Sequence, residues 1–237
     1  MNVAQNVLPG YFLSMRHGEA LAILGEIQSQ QWGLCTASQA KACGVDTAWL
    51  RRLAERGSLV RVRHGVYTSP AIPVTPQLEI QSEWLAIRPN LLAAQRLADP
   101  HLAAEAVVSH TTAANLWEIG DLWPDGVHFT LAKRRRSRQP DVTLHKALLG
   151  RAEWTIHEQS GLPVTTVART VADLARAGNE ASHLGDLIQD AAHLGLVTQL
   201  ELVVSLSGLE ASLGFGKGAA RDVMEWCEEL GVPRSTP

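Results

Sequence analysis

The stretch that most constrains this chain is residues 36–68, TASQAKACGVDTAWLRRLAERGSLVRVRHGVYT. Thr36 is placed to cap a helix through Ala42, Gly44 permits a tight turn, and Asp46 is placed to cap a second helix that reaches Arg56 and stops at Gly57. Residues 59–63 and 66–68 alternate as strands do, and His64-Gly65 between them predicts a tight hairpin turn. Helix, turn, helix and two-stranded wing, in that order, predict a winged helix-turn-helix, whose second helix usually enters the DNA major groove. Leu21, Leu24 and Ile27, at helical spacing within residues 19–31, supply the helix such a unit needs behind its reading pair.

At 100° per residue, Leu50, Leu53 and Ala54 share one face of the second helix, and Ala48, Arg51, Arg52 and Glu55 lie on the other. The first face packs and the second is left for a partner. Residues 36–68 carry Lys41, Arg51, Arg52, Arg56, Arg61 and Arg63 against Asp46 and Glu55, so 6 − 2 gives +4 inside a chain of net charge −3. Two readings fit. In one, Ala48, Arg51, Arg52, Glu55 and Arg56 on the helix, with Arg61, Arg63 and His64 on the wing, form a DNA-binding surface. In the other, the unit is a protein-interaction module with a solvated Arg face. Arginines that fall on the outward helix face and the wing together favour DNA.

Composition narrows the choice. The length of 237 residues and 46% hydrophobic content support two small domains or one elaborate one. A net charge of −3 and a pI near 6.3 argue against a protein that coats nucleic acid indiscriminately, so any DNA contact is a local patch. Cys35, Cys43 and Cys227 are odd in number and form no CxxC pair, which argues against a disulfide framework or zinc ribbon. Cys43 is expected as a small packed side chain at its helix end. Pro9-Gly10 breaks a first 17 residues that carry only Arg16 as a basic residue, so no signal peptide is expected, and no apolar run reaches membrane-spanning length. A reducing, cytoplasmic setting follows.

The fold class expected is α+β: an irregular arm over residues 1–17, with Tyr11 and Phe12 available to pack, a winged unit over 18–70, and a mixed domain over 77–237 ending in a helical tail. Three prolines in residues 69–76 mark the junction. Beyond it, residues 77–98 read as helical with a break at Pro89, residues 106–109 as extended, and a helix opens at Ser109 or His110 and runs to Trp117. Strands are expected over 127–132 and 142–145, and a second hairpin over 154–158 and 162–165 around Ser160-Gly161. Thr165 or Thr166 then caps a helix through Ala177, followed by helical patterns at 180–194, 198–206 and 217–230. The loop joining the first two strands holds Lys133, Arg134, Arg135, Arg136 and Arg138, a secondary basic patch of +5. It is either a solvated loop or a basic hairpin that grips phosphates, adding affinity and salt sensitivity more than sequence choice. Residues 139–237 hold 7 basic and 13 acidic side chains, 7 − 13 = −6, so this tail is not expected on DNA. It packs on the second domain, forms a dimer contact or faces a basic partner protein.

No catalytic constellation, metal-ligand set or cofactor motif is identified. His128 and His145 fall on adjacent expected strands and can approach, and are read as cross-strand neighbours satisfied by backbone or water. Ser109-His110 reads as a helix cap, because a Ser adjacent to its His in sequence seldom has triad geometry. GFGKGA at residues 214–219 lacks the Walker spacing. A nuclease is therefore a remote alternative. Of seven Trp, Trp49 is the exposed position suited to base stacking, and core packing is expected for most of the others, among them Trp117, Trp123 and Trp154.

Taken together, LRRLAERGSLVRVRHGVYTSP (50–70), AVVSHTTAANLWEIG (106–120), DGVHFTLAKRRRSR (125–138), VTLHKA (142–147) and GLPVTTVARTVADLARAG (161–178) resemble, in the family's order, the AbiEi antitoxins of type IV toxin–antitoxin systems. The resemblance covers residues 36–180. It implies an N-terminal winged helix that binds inverted repeats in its own promoter and represses it. It also implies a C-terminal domain that counteracts a nucleotidyltransferase-like toxin, without necessarily binding it. On this resemblance the DNA role falls on Arg51, Arg52, Arg61 and Arg63, while Ser109, His110 and the turn from Pro163 to Arg169 mark the second domain. Operator symmetry implies a homodimer or two copies on adjacent repeats. The alternative is an antitoxin that sequesters its toxin directly through the acidic C-terminal half.

Overall fold

Local capping decides where the first helices begin. The computed structural model describes residues 15–235, so most of the expected arm, including Tyr11 and Phe12, lies outside the described residues. Helix α1 (His17–Ser29) turns Ala20, Leu24 and Ile27 inward. Strand β1 (Leu34–Thr36) ends on the residue that caps α2 (Ala37–Ala42): Thr36 Oγ1 accepts from the Gln39 N–H at 3.1 Å, and Gln39 Oε1 accepts from the Thr36 N–H at 2.9 Å. That reciprocal pair satisfies two otherwise orphaned donors. Gly44, at φ +88°, makes the turn into α3 (Thr47–Glu55), which Asp46 caps by accepting from the Trp49 N–H at 2.8 Å. The hairpin of β2 (Val60–Arg63) and β3 (Val66–Thr68) follows. The three strands form an antiparallel sheet in the order β1-β3-β2.

Next comes α4 (Pro76–Ile87), capped by Thr75 with Pro76 in its first turn. The expected domain junction at residues 69–76 is corrected here. The chain divides into two units at Ala94 and Gln95, which places α4 in the first unit. Trp84 of α4 meets Trp32 edge to face, Gln39 Nε2 donates to the Leu91 carbonyl at 2.9 Å, and Gln31 Oε1 accepts from the Ala93 N–H at 3.1 Å. The prolines thus end a strand and start a helix without separating domains.

The second unit takes over within α5 (Ala93–Ala98) and continues through α6 (Pro100–Ala103), β4 (Val107–Val108), α7 (His110–Leu116), β5 (Val127–Leu131) and β6 (Val142–Lys146). It is completed by β7 (Trp154–Ile156), β8 (Pro163–Thr165), α8 (Val167–Arg176), α9 (Ala181–His193), α10 (Gln199–Ser205) and α11 (Ala220–Glu229). Its sheet runs β6-β5-β4-β8-β7. The β7–β8 pair is the expected antiparallel hairpin, but β5 and β6 are parallel, with Val127 opposite Val142 and Leu131 opposite Lys146. The basic segment is therefore a crossover, not a hairpin tip. Residues 132–141 span at most about 33 Å when extended, roughly twice the length of β5, so they return the chain without a helix. Helix α8 is buried along nearly its whole length and packs in one apolar cluster with residues of α7, α9, α10 and α11. Among the described residues no helix is long and apolar enough to cross a membrane.

Candidate nucleic-acid interface

Helix α3 divides as its periodicity requires. Leu50 and Leu53 are fully buried, while Ala48, Arg51, Arg52, Glu55 and Arg56 are exposed. The Arg51 side chain, 76% exposed, lies 3.5 Å from Glu55 four residues on. Such a surface pair is weak and yields readily to a stronger partner. Arg52 is held differently, with its guanidinium carbon 4.3 Å from the centre of the Trp49 ring. Trp49 is half-buried against the apolar core of the unit, which corrects its expected role as an exposed stacking residue. It acts as a platform that orients Arg52.

The wing separates two arginines that sequence places side by side. Arg61 pairs with Tyr67 and Arg63 with Val66, so the register slips between them, and partners that alternate in β3 send the two side chains to opposite faces. Arg61 is exposed, and its Nη2 lies 2.6 Å from His64 Nδ1. An arginine only donates, so His64 accepts through Nδ1. Arg63 is only 15% exposed and turns toward α4, 3.6 Å from Glu79 and 3.3 Å from Glu83. Its assignment as a wing contact to DNA is corrected: Arg63 ties the hairpin to α4. Lys41, Arg51, Arg52, Arg56, Arg61 and His64 remain as the exposed basic set around α3 and the wing. Cys43, expected to be packed, is exposed at the end of α2, whereas Cys35 and Cys227 are buried.

In the second unit Lys133, Arg134, Arg135, Arg136 and Arg138 are all exposed on the crossover. Trp154 is buried, and Trp117 is half-buried with its indole N–H donating to the Thr165 carbonyl at 2.9 Å. Trp123, expected in the core, is 88% exposed. Arg169 of α8 sits between Glu153 at 2.5 Å and Asp173 at 2.8 Å, which ties the turn before β7 to the helix.

A second constellation adds His110 to the pair that sequence had placed on adjacent strands. His128 on β5 and His145 on β6 meet, with His128 Nδ1 3.0 Å from His145 Nε2. The His110 ring, at the start of α7, stacks on His145 with centroids 3.6 Å apart and planes within 13°. Asp125 Oδ1 lies 3.0 Å from His128 Nε2 and accepts from Thr111 Oγ1 at 2.6 Å. Ser109 does not cap α7 with its side chain. Its hydroxyl accepts from Thr130 Oγ1 at 2.9 Å and lies 3.0 Å from His110 Nδ1. Burial, then the neighbouring His145 and His128, push His110 down to about 3, and burial followed by His128 lowers His145. Burial pushes Asp125 up, but the hydrogen bond from Thr111 and the nearby His128 outweigh it, so Asp125 is lowered. Strand adjacency alone could bring His128 to His145. The arrival of His110 needed β4 to pair with β5, which no local pattern displays.

The first unit thus sets two helices, a turn and an antiparallel hairpin around an outward basic helix face. Residues 24–70 match the family model described as the AbiEi antitoxin transcriptional regulator, and this match supports a toxin–antitoxin transcriptional regulator. The matched family is regulatory rather than enzymatic. No curated protein matches the chain. A solved structure, that of the RV2827C protein from Mycobacterium tuberculosis, has a TM-score of 0.54 and 16% sequence identity, covering 90% of this chain and 76% of that one. At that identity the likeness is one of fold.

Proposed function

We propose that this chain is a DNA-binding transcriptional autorepressor and the antitoxin of a type IV toxin–antitoxin system, counteracting a nucleotidyltransferase-like toxin. In this reading the first unit is a winged helix-turn-helix. Helix α3 enters the major groove with Arg51 and Arg52, flanked by Ala48, Glu55 and Arg56, while Arg61 and His64 meet phosphates or the minor groove. The observation that carries the reading is the outward face of α3, where Arg52 is pre-oriented on Trp49 and Arg51 is held by a surface pair with Glu55. A homodimer on inverted repeats would set two such helices one turn of DNA apart. The basic crossover from Lys133 to Arg138 would add phosphate contacts. A gel-shift titration against the DNA upstream of the chain's own reading frame, at two salt concentrations, tests the DNA half. Sequence-dependent retardation that weakens with salt is expected, and equal binding to unrelated DNA would count against an operator.

A second reading is direct sequestration of the toxin. It is favoured by exposed apolar side chains on the acidic C-terminal helices, where Leu200 and Val204 of α10 are 67% and 66% exposed on one face. Co-purification of the adjacent gene's product with the full chain, lost when both are changed to Ser, would select this reading.

A further inference from the structure

We propose that His110, His128 and His145 bind one divalent transition-metal ion, Zn2+, in the second unit. The inference does not rest on the DNA reading. One ring nitrogen from each histidine lies within 4.8 Å of those of the other two. His128 Nδ1 and His145 Nε2 stand 3.0 Å apart, close to the roughly 3.3 Å that separates two nitrogens sharing a tetrahedral zinc at about 2.05 Å. Three imidazoles suit Zn2+ among the available biological cations and leave a fourth position for water.

The surroundings are those a metal site needs. A ligating imidazole is held by a partner on its other nitrogen, often a carboxylate. Asp125 faces His128 Nε2 at 3.0 Å, favouring a proton there and leaving Nδ1 to coordinate. Thr111 in turn fixes Asp125, and the Ser109 hydroxyl, braced by Thr130, holds the His110 ring. The backbone adds an independent sign: His110 has φ +55°, a left-handed conformation that a non-glycine residue keeps only where its surroundings impose it. His110 and His128 are both buried, and His145 is half-buried at the open edge. Nothing in the regulator reading uses these groups. Loading has a geometric consequence. The His110 and His145 ring planes lie nearly parallel, 13° apart at 3.6 Å, so the two rings must splay before an in-plane lone pair from each meets one ion.

The test uses the untagged full chain, stripped with EDTA and titrated with Zn2+ by calorimetry and with Co2+ by visible spectroscopy. One equivalent of Zn2+, a rise in Tm, and the visible bands of Co2+ held by nitrogen and oxygen donors are expected. His128→Ala and His145→Ala should each weaken binding at least 100-fold, and Asp125→Asn by about 10- to 100-fold. Thr143→Ala, an exposed neighbour on β6, should change nothing. All variants are also measured with Cys43→Ser, which removes the exposed thiol. Should His128→Ala fail to fold, His145→Gln at the half-exposed position and the wild-type Co2+ spectrum keep the test decisive. Less than one equivalent bound by wild type, or binding that survives His145→Ala or disappears with Cys43→Ser alone, overturns the proposal.

Discussion

Arg61 and Arg63 are two residues apart on one strand, and the structure predicts opposite consequences for removing them. Arg63 is 15% exposed and Glu83 7%, at 3.3 Å, with the half-exposed Glu79 at 3.6 Å. Breaking a buried pair by deleting one partner costs about 3 to 5 kcal/mol, and an exposed pair about 0 to 1 kcal/mol. Glu83 keeps other interactions, so Arg63→Ala is expected between those two cases, at about 2 to 3 kcal/mol. For a unit of this size that lowers Tm by about 10 to 20 °C. Arg61→Ala removes an exposed side chain and should leave Tm within a degree or two while reducing the slope of log affinity against log salt by about 0.9, one phosphate's worth. Thermal unfolding by circular dichroism, with DNA titrations at several salt concentrations below the melting range, separates the two. An Arg63→Ala protein with wild-type Tm and a salt slope reduced like that of Arg61→Ala would refute the assignment of Arg63 to the α4 contact.

Further outcomes follow from other parts of the molecule. Changing Lys133, Arg134 and Arg136 together to Ala should flatten the salt dependence of DNA binding while leaving the preference between operator and unrelated DNA unchanged, as measured by competition titration. Gly126 has φ +122°, and a Cβ there would lie 2.5 Å from the Asp141 carbonyl oxygen, so Gly126→Ala should cost about 1 to 3 kcal/mol in chemical denaturation. Burial pushes Glu153 up, but hydrogen bonds from the Gly150 N–H and Arg169 outweigh it and hold the group below the ordinary 4.5. Its contribution to stability is therefore complete above that value and lost as pH falls through the lowered one. Glu153→Gln should be less stable at neutral pH and show a shallower loss of stability on acidification below about pH 5.

What the sequence made legible was local. Thr36, Asp46, Gly44 and Gly65 act within a few residues of themselves, and α2, α3 and the β2–β3 hairpin lie where those residues put them. Periodicity likewise assigned the two faces of α3, since Leu50 and Leu53 repeat at the spacing of the helix. Contacts between distant segments were not legible. Arg63 looks like Arg61 until the register slip and the glutamates of α4, sixteen and twenty residues later, are in view. Strands β5 and β6 could be named, but apolar alternation carries no direction, so their parallel pairing was hidden. β1 is three residues long, too short for alternation to register. The prolines of residues 69–76 suggested a hinge because a proline that starts a helix and one that breaks a chain are alike without the packing around them. The His110 cluster required three strands to be ordered at once.

Everything proposed for the first unit turns on whether the outward face of α3 meets duplex DNA, and fluorescence anisotropy with labelled upstream DNA measures this directly. Replacing both Arg51 and Arg52 by Ala, in a protein whose melting temperature is unchanged, should weaken operator binding by about 2 to 6 kcal/mol, at about 1 to 3 kcal/mol for each base contact. Discrimination against unrelated DNA should fall with it. Full operator affinity in the double variant, folded and at the same salt, would contradict the account.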